Sequence, residues 1–425
     1  MAGTNSTRDL QIHQVEPTEQ VGRDTIARYQ AQYRAAAMEC LKLLDVGSID
    51  RVYSEFHDDF VTRRSEAGAH FYSFFQVKTA EKRNRQWSVL ELFGVPKRKK
   101  KPSKKLKGSD GSDSSGGTGC ECDLQAAQAA ELAKSFVGKL LLHSVRFHDA
   151  CEKVSFLTNA NLNDDAEAVV AALLSGISEP NDVLDQVAQH FNLAYDMPEP
   201  LTPDEVKGHI LKLRFEPGLT LLNPDGADYE TLASKAIYSF SEIDLTHSES
   251  SQISANLVSL VERKSFPKMK FVPDAEALAE RAGIALTDLL GLLSISDSGY
   301  RELLNGGDEN ALKTASIIQR KLTLAGASQP VIDSACKWKV EWDNWYRTYR
   351  HLDEADMDFI LHDIAVVREK WARGEIPFRM LRNEASAIMD TWKESSLGHL
   401  LSKHLIVGGV LAELVRSESQ GGRTS

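Results

Sequence analysis

Two neighbouring stretches decide how this chain reads: Arg51–Thr62, RVYSEFHDDFVT, and Ala69–Thr79, AHFYSFFQVKT. Both are dense in aromatic and β-branched residues, and Ser65–Gly68 between them supplies turn chemistry, so the pair predicts a β-hairpin. In a strand, residues two apart point to the same face. Gln76 and Lys78 therefore share a face of the second strand. On the first, Glu55, His57 and Asp59 share one face and Asp58 points the other way. A hairpin then sets Asp59, and with it Glu55, beside Gln76 and Lys78. The aromatic density around Gln76 predicts a central, buried strand, where an unpaired lysine is costly.

Working outward, Gly22 to about Asp45 carries apolar residues Ile26, Tyr29, Tyr33, Ala37, Cys40 and Leu44 at steps of three and four, which predicts one helix stopped at Gly47. Gln32 and Glu39 flank that stripe with Ala35 and Ala36 between them. Small residues there let the helix approach the sheet, so that Glu39 reaches a metal directly or through water. Hydrolysis of a phosphodiester needs hard oxygen ligands for a cation such as Mg²⁺ (or Mn²⁺), a polarised water, and positive charge for the transition state. Asp59, Gln76, Glu55 and Lys78 supply those parts, although Gln76 offers only a neutral carbonyl oxygen. The bland alternative for a D…QxK spacing is polar residues on the solvent face of a hairpin.

Bulk composition is that of a folded soluble protein: 425 residues, 42% hydrophobic and 26% charged. No window reaches the ~20 apolar residues of a membrane span, and residues 1–20 read as a flexible tail without a secretion signal. Five cysteines give no disulfide framework, and Cys120 and Cys122 have no second pair to complete a zinc site. The expected location is the cytoplasm. A net charge of −11 excludes a chain that coats nucleic acid with its whole surface, but not a local basic footprint.

Such a footprint is present. Lys97, Arg98, Lys99, Lys100, Lys101, Lys104, Lys105 and Lys107 are eight cations in eleven residues, followed by a Gly/Ser/Asp run. The stretch 94–123 reads as a disordered insertion: an arm on DNA phosphates, a passive linker, or a nuclear localisation signal. A helix over Leu124–Phe147 follows, in which Lys139 and His143 lie one turn apart, and then a strand over Glu152–Thr158. Beyond residue 160 nearly everything predicts helix. The segment 275–305 has a helix-turn-helix flavour, but its reading helix is acidic and apolar, which favours ordinary core helices. Trp338, Trp342, Trp345, Tyr346, Tyr349 and Leu352 form an aromatic stripe that predicts helix packing, within one chain or between subunits.

The stretches Gly22–Ala36, Val52–Val61 (VYSEFHDDFV), Phe71–Ala80 (FYSFFQVKTA), Phe136–His143 and Val154–Asn161 resemble, in order and wording, the endonuclease domain of bacterial anti-phage effectors of the PD-(D/E)xK type. That domain stands before a SAVED sensor in CD-NTase-associated effectors of CBASS, and it also occurs in the nuclease partner of the hexameric ATPase HerA. The resemblance covers roughly residues 20–160. It implies Asp59, Gln76 and Lys78 as active-site residues, with Glu55 and then Glu39 behind them. The helical back half is unlike a SAVED sensor and fits the HerA-linked type better. The expected fold is thus an α/β restriction-endonuclease-like N-terminal domain (20–160), a helical extension (161–268) and an all-α half for assembly or partner docking (269–425). The expected activity is Mg²⁺-dependent cleavage of duplex DNA by a homo-oligomer, with a HerA-type ATPase as partner. The alternative is a non-catalytic assembly or DNA-binding protein that keeps the nuclease fold.

Overall fold

The computed structural model describes residues 21–45, 47–82, 84–96, 121–226, 228–241, 243, 245–267 and 273–421. The chain gathers into two compact units. The first takes the N-terminal stretch up to Ala37, Val52–Tyr229 and Lys264–Lys270; the second takes Met38–Arg51, Glu230–Arg263 and Phe271–Ser425.

The chain opens with helix α1 (Val21–Cys40), which ends in a 3-10 turn at Leu41–Leu44. It buries Tyr33 and the small residues Ala31, Ala35 and Ala36 that permit close approach. Strands β1 (Arg51–Phe56), β2 (Asp58–Glu66) and β3 (Ala69–Lys78) follow. β2 and β3 form the expected hairpin, antiparallel from Phe60 opposite Phe75 to Glu66 opposite Ala69. Its turn residues Ala67 and Gly68 both have positive φ. The single strand expected over Arg51–Thr62 is instead two. Glu55 (φ 51°) and His57 (φ 68°) adopt left-handed backbone, which ends β1 and restarts the chain as β2. Face parity therefore does not carry across His57.

Strand β4 (Gln86–Trp87) and helix α2 (Val89–Phe93) come next, α2 opened by a Ser88–Glu91 capping box. The one helix expected over Leu124–Phe147 breaks into α3 (Glu121–Lys134) and α4 (Phe136–Phe147). Ser135 caps α4, its Oγ accepting from the Gly138 N–H at 2.9 Å. The break is tight: a Cβ on Gly138 would stand 1.8 Å from the Leu132 carbonyl oxygen. β5 (Cys151–Thr158) then runs parallel to β3, with Gln76 opposite Phe156 and Lys78 opposite Thr158. Short β6 (Asn161–Leu162) pairs with β4. Helices α5 (Asp164–Leu174), α6 (Asp182–Ala194) and α7 (Pro203–Ile210) lead to β7 (Leu213–Glu216). β7 lies parallel to β5 in a region expected to be helical; its four residues are too few for a two-residue alternation to stand out. Within the first unit the strand order is β7-β5-β3-β2-β1, which makes β3 central. Phe60, Phe74, Phe75 and Phe156 are fully buried, and the rings of Phe60 and Phe75 stack at 4.5 Å.

The back half is mostly helical, as expected: α8 (Tyr229–Ser241), α9 (His247–Ser265), α10 (Ala275–Arg281), α11 (Leu286–Leu292), α12 (Asp297–Asn305), α13 (Ala311–Leu324), α14 (Gln329–Tyr349), α15 (Glu354–Ala372), α16 (Leu381–Trp392) and α17 (Lys403–Gly421). In α11 and α12 the apolar residues Leu289, Leu290, Tyr300 and Leu303 are buried, so these two are core helices, while α10 buries no residue fully. Part of the aromatic stripe is used inside the chain, while Trp338, Tyr346 and Tyr349 are half-buried and Leu352 is exposed. Trp342 and Trp345 are buried and stacked at 5.1 Å. α17 crosses α14 so closely that a Cβ on Gly408 would lie 2.0 Å from the Trp338 carbonyl oxygen. Among the described residues no helix is long and apolar enough to cross a membrane.

Because Phe75 is fully buried against Phe60 at the centre of the sheet, Phe75→Ala should lower the stability of the first unit by about 3–5 kcal/mol. Urea unfolding followed by near-ultraviolet circular dichroism measures it; a loss under about 1 kcal/mol would contradict this packing.

Candidate active site

The centre of the site is the Asp59 carboxylate. One step before the Phe60–Phe75 pair, it stands level with the end of β3. Its Oδ2 accepts the backbone N–H of Val77 at 2.6 Å, and its Oδ1 accepts the Gln32 side-chain amide at 2.7 Å. Lys78 Nζ lies 4.0 Å from Oδ2, with the lysine side chain 30% exposed and the aspartate 14%. Lys78 Nζ also sits 5.8 Å from the centre of the Phe136 ring. Burial pushes the Asp59 carboxyl above its ordinary range, against the pull of Lys78 and of the Val77 and Gln32 hydrogen bonds.

Glu55 is an exposed side chain at the break between β1 and β2. Desolvation, then the like charges of Asp59 and Asp58, raise its pKa to about 7, with Lys78 pulling the other way. Asp58 precedes Asp59 in β2 and so turns to the other face from Asp59. Its Oδ2 is 3.2 Å from His143 Nε2, and its Oδ1 accepts the Asp59 N–H at 3.0 Å. His143 is buried and its ring stacks on Phe74 at 4.6 Å. Lys139, one turn earlier, is exposed. His57 does not join Asp59: it packs edge-on against Phe56 and Phe147, at 4.5 and 5.2 Å. Burial, with His143 and Arg146 nearby, holds its pKa below the ordinary value.

Gln76 is only 8% exposed, and its side-chain oxygen is fully buried without a hydrogen-bond partner. The Gln32 side-chain oxygen is in the same condition. A buried carbonyl oxygen left unpaired costs about 1–3 kcal/mol, so these two await something that donates or carries positive charge. Among the described residues no three His, Cys, Asp or Glu side chains form a metal-holding group. The oxygen donors here are Asp59, Glu55 and glutamine amides, hard ligands of the kind Mg²⁺ takes. The Glu39 carboxylate accepts from Lys42 Nζ at 2.6 Å. The basic run Lys97–Lys107 lies outside the described residues.

The structure thus brings together Asp59, Lys78 and Glu55, with Gln76 at the same end of β3. Sequence reasoning missed the direct role of Gln32; its signal was a polar residue beside the small Ala35–Ala36 pair. It also missed Asn159, which fixes the chain just past Lys78. The Asn159 side chain accepts the Ala80 N–H at 2.8 Å and donates to the Ala80 carbonyl at 3.0 Å.

Residues 20–189 match one family model, described as Cap4, dsDNA endonuclease domain. That supports a nuclease family. The matched stretch contains α1, the hairpin, β5 and every residue of the site just described. No curated protein matches the chain. Among solved structures it is similar to the Acinetobacter baumannii Cap4 SAVED/CARF-domain containing receptor with the cyclic trinucleotide 3'3'3'-cAAA, at 9% identity and TM-score 0.31, covering 73% of this chain and 64% of that one. The same receptor with 2'3'3'-cAAA gives 9% identity, TM-score 0.29 and coverage of 73% and 63%. The same Acinetobacter baumannii Cap4 SAVED/CARF-domain containing receptor in a third structure gives 9% identity, TM-score 0.29 and coverage of 73% and 66%. The chain spans less than two thirds of each, and likeness at that level carries no argument about its ligands.

Glu55 offers a direct check on the electrostatics. Its carboxyl should titrate near pH 7 by carbon-13 NMR, against an ordinary value of 4.5. Lys78→Ala should move the midpoint further up and Asp59→Asn should move it down. Since the folded value exceeds the unfolded one, this group's contribution to stability is complete below pH 4.5 and is lost as pH rises through about 7. A midpoint near 4.5 in the folded protein would contradict the cluster.

Proposed function

We propose that this chain is a divalent-metal-dependent endonuclease of duplex DNA, of the PD-(D/E)xK kind, serving anti-phage defence. The observation that carries the reading is Asp59, gripped by Gln32 and Val77 and placed 4.0 Å from Lys78 beside an unpaired Gln76 oxygen. The family match over residues 20–189 supports the DNA substrate. The order α1, hairpin, α4 and parallel β5 supports the restriction-endonuclease-like fold.

On this reading Asp59 and the Gln76 amide oxygen hold the Mg²⁺ or Mn²⁺. Glu39, whose carboxylate pairs with Lys42 Nζ, would approach the ion directly or through water. When bound, such an ion supplies Lewis-acid polarisation of the scissile phosphate and a more acidic water. Lys78 donates N–H bonds to a phosphate oxygen and stabilises charge gathering there as water attacks. The water oxygen bonds to phosphorus as a Glu55 carboxylate oxygen takes the water's proton, the bond from phosphorus to the departing strand-end oxygen breaks, and that oxygen takes a proton from solvent. A pKa of about 7 suits that exchange at neutral pH. His143 and Asp58 act behind the site: Asp58 fixes the Asp59 backbone N–H and His143 faces Asp58.

Assembly through the second unit, with further copies of this chain or with a HerA-type ATPase, completes the proposal. Its support is the succession of amphipathic helices rather than Trp342 and Trp345, which are spent on internal packing. Light scattering of the full chain, alone and with such an ATPase, tests it.

Lys78→Ala should abolish plasmid cleavage in Mg²⁺ while leaving the melting temperature within a few degrees, and EDTA should stop the wild-type protein. Cleavage at the wild-type rate by Lys78→Ala would end the assignment. Absence of cleavage by the wild type under every metal tried would favour the non-catalytic alternative that the neutral Gln76 allows.

A further inference from the structure

The first unit carries a cavity of about 690 Å³ on the flank of the site. Three segments line it: the first turns of α1, the chain just past β3, and Leu222 with Pro224. Arg23 and Arg28 enter from α1, and Lys82 and Arg85 from the segment after β3. All four are exposed. Asp24 and Glu81 also line the cavity, so cations outnumber carboxylates four to two. Arg23, Arg28 and Lys82 have no ion-pair partner among the described residues. Arg85 is held in place, 3.1 Å from Glu91 and with its guanidinium 4.6 Å from the centre of the Trp87 ring.

Two independent elements tie this cavity to the reacting centre. Arg28 lies four residues before Gln32 on α1, hence on the same helix face and one turn, about 5.4 Å, from the amide that grips Asp59. Thr79 and Ala80, in the lining, directly follow Lys78, so the rim begins within about 7 Å of it along the chain. Asn159 clamps Ala80 from behind and fixes that rim. The volume lies within the roughly 300–1,000 Å³ of sites that enclose a small organic ligand, more room than a lone phosphate needs.

We infer that this cavity receives the sugar-phosphate backbone next to the scissile bond, with Arg28 and Lys82 as the cations that contact its phosphates. This deepens the nuclease reading and rests on it for the identity of the polymer. Arginine and lysine without internal partners are what backbone phosphates recruit, and each contact made releases condensed counterions. Such contacts set the register of the strand without reading its sequence, so the cavity aligns the phosphodiester over Asp59 and Lys78.

The test is fluorescence anisotropy of a labelled 20-base-pair duplex over a salt series in EDTA, where cleavage cannot interfere. Against the full-length wild type, the Arg28→Ala/Lys82→Ala double variant should lose on the order of tenfold in affinity. Its slope of log affinity against log salt should fall by about one to two, at about 0.9 per phosphate contact. Arg28→Lys/Lys82→Arg should restore the slope, which separates charge from misfolding. A double variant with wild-type slope and affinity overturns the inference, as does a wild type with no salt-dependent duplex binding. Calorimetry with thymidine 5'-monophosphate is the second arm. Micromolar binding that the double variant loses, with its duplex slope unchanged, assigns the cavity to free nucleotide and also overturns it. If the wild type binds duplex with the expected slope change but never cleaves, the cavity assignment stands and the nuclease reading alone falls.

Discussion

β3 is paired along both edges, antiparallel to β2 and parallel to β5, and the placement of Asp59, Gln76 and Lys78 follows from that double pairing. An antiparallel neighbour delivers Asp59 across a tight turn. A parallel neighbour requires a crossover connection, and that connection carries α4 with Phe136 and His143. Without the first pairing Asp59 would not meet the Val77 N–H. Without the second, Phe136 would not face Lys78 and Asn159 would not clamp Ala80. The fully buried Phe74, Phe75 and Phe156 hold both pairings in place.

The site is a compromise between packing and charge. Asp59 is mostly buried, and its two strong hydrogen bonds and Lys78 offset part of the desolvation. Glu55, at a break where two residues adopt left-handed backbone, carries the remainder as a raised pKa. Perturbed carboxyls and unpaired buried amide oxygens at one end of a central strand are a pattern that stability alone does not favour, and functional sites commonly show it.

Much of this was legible in the sequence because it rests on local rules. The hairpin followed from aromatic and β-branched density around a Gly-containing turn, and the pairing of Asp59 with Lys78 from the two-residue period of strands. What local rules miss is set by contacts far apart in sequence. The break at His57 depends on left-handed backbone that histidine and glutamate do not advertise. The split at Ser135 depends on how closely Gly138 approaches Leu132. β7 is too short to show a period, and α17, with its paired glycines, is shaped by the tryptophans of α14. The Gln32 contact with Asp59 spans 27 residues, and a polar residue on the flank of an apolar helix stripe does not reveal such a partner.

The second unit is stitched from three stretches, of which Met38–Arg51 emerges first and Phe271–Ser425 last. A ribosome adding roughly 5–20 residues per second takes on the order of 20–75 s to travel from the end of the first stretch to the end of the chain. The first unit can close once Lys264–Lys270 has been made, well before the second has all its parts. The segment holding Leu41, Leu43 and Leu44 meets α11, so part of its packing waits on a helix made much later. The order of manufacture makes that segment a natural client for a chaperone, and a nascent chain stalled before its last helices would carry a formed sheet without its helical counterpart.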